Sequence, residues 1–230
     1  TITVPASSQS LTFAISARAM VAKPFALSLD WGFAQVSSGN SSASTAGNPI
    51  LAGHLLLDAG PGVVDFGLGI GIPVTGDDLE SFLAVAGASA IHGLQDPWLY
   101  VIHAVPVIFQ IRSAFDLKGA RLAADGAFAV YFATEGNGDP RTSMQLGIQA
   151  GPVFGPVEFG FRAQTLLATS GSFTSPSNDN LQLSVGPYVH AKFGVGFLGA
   201  MLLVNVDEPL GFGFDDDGAW GLIMSGGAAF

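Results

Sequence analysis

The stretch LTFAISARAMV, residues 11–21, places Leu11, Phe13, Ile15, Ala17, Ala19 and Val21 at odd positions and Thr12, Ser16 and Arg18 among the even ones. The pattern returns in FALSLDWGF, residues 25–33, where Phe25, Leu27, Leu29, Trp31 and Phe33 oppose Ser28 and Asp30. It recurs in VEFGFRAQTLL, residues 157–167, where Val157, Phe159 and Phe161 oppose Glu158, Arg162 and Gln164. A period of two marks a β-strand whose faces meet different surroundings. That fits either a soluble sandwich or a membrane barrel, and the amounts decide between them. A soluble surface carries roughly a quarter to a third charged residues. This chain of 230 residues is 11% charged, with a mean hydropathy of +0.47. The apolar face is therefore expected to point outward to lipid and the charged face inward to a lumen.

The length suits one closed barrel over residues 1–230, and no shift in composition marks a second domain. No run reaches the roughly 18 uncharged apolar residues of a spanning helix; the longest, Trp98–Phe109, contains His103 and a proline. No signal peptide precedes Thr1, so a mature or trimmed form is expected. The absence of cysteine excludes disulfides and thiolate metal sites. A net charge of −10 argues against nucleic acid as a partner.

Connections alternate in length. Ala22–Pro24, Ala59–Gly62, Asp116–Gly119, Val153–Pro156 and Phe193–Val195 are tight, whereas Ser37–Pro49, Gly76–Pro97, Glu135–Pro140, Ser170–Asn180 and Asp207–Gly218 are long and mostly polar. Eleven strands are expected between them: 11–22, 25–36, 50–58, 63–75, 98–113, 120–134, 141–152, 157–169, 181–192, 195–206 and 219–230. Bacterial barrels have even counts, so Thr1–Ala6 is expected to supply a twelfth; a misread pair within 76–113 would instead leave ten. Residues 195–206 are apolar on both faces, which suits a protein contact as well as lipid.

The chain resembles, over its full length, the bacterial outer-membrane β-barrel class. Besides alternation and loop asymmetry, the last strand carries Trp220, Leu222, Met224 and Phe230 in one register, similar to the terminal signal such proteins present to the barrel-assembly machinery. The position two before Phe230 is Ala228, smaller than usual there, and the three Trp and three Tyr make a sparse aromatic girdle. The resemblance implies a Gram-negative outer membrane, short periplasmic turns, acidic external loops, and lipid and lipopolysaccharide as surroundings.

The inward set is Arg18, Arg112, Arg121, Arg141, Arg162 and Lys192 against Asp30, Asp58, Asp65, Asp125 and Glu158, joined by His54 and His190. Such residues either line a pore and select ions by charge or pair and fill the interior; the near balance of signs favours pairing. In the insertion, Asp77 and Asp78 can cap a helix. Leu79, Phe82, Leu83 and Ala86 follow at helical spacing. This segment either folds into the mouth as a constriction or lies on the rim. Asp215, Asp216 and Asp217 offer hard oxygen ligands suited to Ca²⁺ or Mg²⁺, but without EF-hand spacing a solvated acidic loop is expected and no metal is assigned. Gly67, Gly69 and Gly71 alternate along a strand as a smooth inner wall. No phosphate loop, zinc pattern or dinucleotide fingerprint occurs, so no cofactor is expected. No histidine (His54, His92, His103, His190) has a nucleophile or orienting acid readable from sequence, so the expectation is not an enzyme. The leading expectation is a narrow channel for ions or small solutes. The alternative is a non-conducting anchoring barrel that binds a protein partner through its loops or wall, and a barrel enzyme is the minor one.

Overall fold

A computed structural model describes residues 9–38, 41–91, 94–135, 139–170, 180–207, 210, 212 and 220–228. The strands are β1 (Gln9–Ala22), β2 (Phe25–Ser38), β3 (Ser41–Ala46), β4 (Ile50–Asp58), β5 (Gly62–Gly71), β6 (Ala104–Leu117), β7 (Ala120–Ala133), β8 (Arg141–Phe154), β9 (Val157–Ala168), β10 (Leu181–Phe193), β11 (Gly196–Asn205) and β12 (Trp220–Ala228). One helix, α1 (Leu79–Ile91), and a 3-10 turn at Pro97–Leu99 interrupt them.

All pairings are antiparallel between chain neighbours, in the order β1-β2-β4-β5 and on to β12, and the single sheet is strongly curled. The short connections favour this meander: Gly119 (φ 75°) and Gly155 (φ 57°) take the left-handed backbone that a Cβ disfavours. One stave departs from expectation. β3 pairs with the long-loop half of β2 and β4 with its other half, so β3 and β4 form one position broken at residues 47–49. The Ser/Thr/Ala composition of residues 41–46 carries no alternation, which is why Ser37–Pro49 reads as loop. Eleven staves thus stand among the described residues, and because each step reverses direction, β1 and β12 run the same way. The expected strand over Thr1–Ala6 lies outside the described residues.

Curling gives the faces their roles. The convex face exposes Leu11, Phe13 and Ile15 on β1, Phe66, Leu68 and Ile70 on β5, Leu146 and Ile148 on β8, and Phe159 and Phe161 on β9. Trp220, Leu222 and Met224 of β12 share it, Met224 at 77% exposure. Apolar patches beyond a few hundred Å² are rare on soluble monomers, and here the apolar face continues from strand to strand.

The apolar core lies inside the curl at the long-loop end. Trp98, with Leu99 and Val101, packs on Ile50, Ala104, Ile108, Ala127, Ala129 and Tyr131; Ala84 and Ala88 of α1 pack with Tyr100 on Ala34. The expected strand 98–113 therefore starts only at Ala104. Residues 98–101 are apolar because they pack against the inner wall, a distinction that a continuous apolar run does not reveal. Likewise the expected strand 63–75 ends at Gly71.

Candidate functional site

The concave face borders a cavity of about 630 Å³ lined by residues of β1 and of β4 to β12. Among them are Arg18, Asp65, Arg112, Asp125, Arg162 and His190. Arg18 Nη2 donates to Asp65 Oδ2 at 2.9 Å. The other oxygen of Asp65 lies 3.0 Å from His54 Nδ1, and His54 Nε2 lies 2.8 Å from Ser28 Oγ. The carboxylate can only accept, so Nδ1 carries a proton, and in the neutral imidazole Ser28 donates to Nε2. Gly67 gives the imidazole its space: a Cβ there would come within 3.3 Å of two ring atoms.

This serine–histidine–aspartate chain has the hydrogen-bond order of a nucleophile relay, and no local motif signals it, because Ser28, on β2, meets His54 and Asp65 only through strand pairing. Ser28 and His54 are buried, and of the three only Asp65 borders the cavity. The chain ties the wall to the Arg18–Asp65 pair and presents no open nucleophile.

Arg162 binds Asp125, two strands on from Asp65, through both terminal nitrogens, at 2.7 and 3.0 Å, and donates to Gln164 at 2.9 Å and Gln149 at 3.4 Å. Asp125 and Gln164 flank Gly147 in register, so the guanidinium reaches Asp125 across a position without a side chain. A Cβ at Gly147 would collide with Arg162 Nη2 and both Asp125 oxygens. Toward the short-turn end, Tyr188 donates to Glu158 at 2.7 Å, with Arg121 Nε 3.8 Å from the same carboxylate. Asp116, expected in a turn, lies on β6 and pairs with Arg121 at 3.4 Å. Lys192 and His190 border a smaller cavity beside this cluster. Asp30 accepts from Ser16 at 2.5 Å. Asp58, Arg112, Arg141 and Lys192 have no ion-pair partner among the described residues.

The insertion folds inward. Asp78 caps α1 by accepting from the Ser81 N–H at 2.7 Å, and that bond holds its carboxyl below the ordinary 3.8. The helix does not use the expected stripe for packing. Ser81, Ala84, Gly87 and Ala88 face the concave side of β1–β3, because small residues permit close approach, while Leu79, Phe82 and Leu83 stay exposed. α1 also approaches β12.

Asn48, fully buried in the break between β3 and β4, holds both ends of the inserted segment. Its Nδ2 donates to Val101 O at 2.7 Å and Trp98 O at 3.3 Å; its Oδ1 accepts from Val74 N, Thr75 N and Thr75 Oγ1 at 2.9, 3.1 and 2.9 Å. On the facing wall, Gln145 exchanges two hydrogen bonds with Asp96, at 2.9 and 3.0 Å. Tyr100 donates to Phe33 O at 3.3 Å, and burial pushes its phenol up to about 12. Three non-glycine residues with left-handed backbone, Leu94, Asp96 and His103, all lie in this segment. His103, expected on a strand face, stands instead between Asp77 at 3.6 Å and Glu135 at 3.4 Å. His92, Asp215, Asp216, Asp217 and Phe230 lie outside the described residues.

No protein-family model matches the chain, and no curated protein matches it in sequence.

Proposed function

We propose that the sheet closes into a bacterial outer-membrane β-barrel serving as a narrow conduit for ions or small solutes. One observation carries this reading: β1 and β4 to β12 border one concave cavity, lined mostly by polar or small side chains, while most of their large apolar side chains face outward. In water, each fully exposed large apolar side chain forgoes about 1.5–3 kcal/mol of burial; hydrocarbon removes that penalty for the whole convex face. Lipid and lipopolysaccharide are the surroundings that follow, with passage through the barrel-assembly machinery during biogenesis. Closure is antiparallel only if a further strand enters between β1 and β12.

The inward insertion favours a second reading, a barrel closed at rest that anchors a protein partner through its loops. Single-channel conductance in a planar bilayer separates the two. Steady conductance that Arg112→Ala changes supports the conduit. A silent bilayer, with folding verified by heat-modifiable gel migration, contradicts it.

A further inference from the structure

We propose that the cavity is a binding site for a small organic carboxylate, seated on Arg112; the site rests on the aqueous interior proposed above. Three guanidinium groups border this space, and two are already neutralised, Arg18 by Asp65 and Arg162 by Asp125. Arg112 stands in direct register between those same two aspartates, Asp65 on β5 and Asp125 on β7. Opposite charges facing across strands ordinarily pair. Here each aspartate is engaged elsewhere: Asp65 by Arg18 and His54, Asp125 by Arg162 across Gly147.

Arg112 is left with no carboxylate within 4.0 Å among the described residues. Of the three arginines, Arg112 alone is left without a carboxylate partner. Asp96, the remaining carboxylate on the cavity, is turned to Gln145 beneath the insertion. Gln110, two residues along on the same face of β6, also borders the cavity, and its amide has no protein partner among the described residues.

An exposed guanidinium fork matches the two oxygens of a carboxylate. The neighbouring arginines are fixed by their own ion pairs, so the surroundings are organised before a ligand enters. One unpaired guanidinium, with Ala123, Met201 and Ile223 on the same cavity, suits an organic monoanion better than a phosphate dianion. The volume of about 630 Å³ falls within the roughly 300–1,000 Å³ of small-molecule sites.

Isothermal titration of the full chain, folded in detergent micelles at low ionic strength, tests this with sodium benzoate as the probe. Saturable binding is expected for the unaltered protein. Arg112→Gln should weaken it about tenfold or more, equivalent to about 1.4 kcal/mol, and Arg112→Lys should recover part of the loss. Arg141→Gln, on the same face but away from the cavity, should leave it unchanged. No saturable binding, equal binding by Arg112→Gln, or tighter binding of inorganic phosphate than benzoate overturns the proposal. Conductance without benzoate binding sinks the site and spares the conduit; binding by a protein silent in bilayers does the reverse.

Discussion

Asn48→Ala removes the clamp at both ends of the inserted segment. Four of its five bonds are 3.1 Å or shorter, to Val101 O, Val74 N, Thr75 N and Thr75 Oγ1. At about 1 kcal/mol net for each hydrogen bond, their loss amounts to about 4 kcal/mol. Water reaches Val74 and part of Thr75, so solvent replaces some of these partners and about 2–3 kcal/mol remains. That corresponds to an opening equilibrium raised about 30-fold to 160-fold. The loss is local, because Trp98 stays packed on the β4, β6 and β7 wall. Amide hydrogen exchange read by mass spectrometry should therefore accelerate in peptides covering residues 72–103, while β7 to β10 keep their protection. Asn48→Asp retains an acceptor for Val74 and Thr75 but sets an oxygen against the Val101 carbonyl, so its effect should be of the same sign. Unchanged exchange over 72–103 in Asn48→Ala would refute the clamp, and a uniform rise over all strands would show that its energy is not local.

Gly147→Ala should displace Arg162 from Asp125 and cost about 1–3 kcal/mol in urea unfolding from lipid vesicles; unaltered stability would show that the pair does not depend on the missing side chain. Ile148→Arg places a cation on the convex face near the middle of β8. It should cost about 2–4 kcal/mol in the same assay, whereas Ile148→Leu should be near neutral; a neutral Ile148→Arg would contradict a lipid-facing wall. Because the Tyr100 phenol is raised from 10.0 to about 12, its contribution is whole below pH 10.0 and is lost as pH rises toward about 12. Tryptophan emission, to which buried Trp98 contributes, should change across that window, and Tyr100→Phe should flatten the change. An identical alkaline profile in Tyr100→Phe would rule out Tyr100 as its source.

Strand positions and facing were legible wherever apolar and polar residues alternate, as in residues 11–21 and 157–167. Periodicity could not reveal β3, whose Ser, Thr and Ala side chains have no strong preference for either face, nor separate the inward-packed run 98–101 from the strand it precedes. Lining residues such as Arg18, Asp65 and Arg162 could be named from parity, but their partners could not. In-register reasoning pairs Asp65 with Arg112, while the curl brings Arg18 from three staves away to claim that carboxylate. Asn48 gave no signal at all. A single amide among turn residues acquires its role only when two distant loop ends converge on it. The helix shows the opposite failure: spacing found Leu79, Phe82 and Leu83, yet close approach selected the small-residue face.

The convex face is expected to meet lipid and the concave face water. The chain has no cysteine, so single-cysteine variants report one position each. Ile148→Cys and Phe161→Cys on the outside, and Gln149→Cys and Ala123→Cys bordering the cavity, would carry a fluorescent label in lipid vesicles. Nitroxide-bearing lipids should quench the first pair, and a water-soluble quencher the second. Outer positions quenched from water, in a protein that stays monodisperse without detergent, would contradict a lipid-facing convex wall.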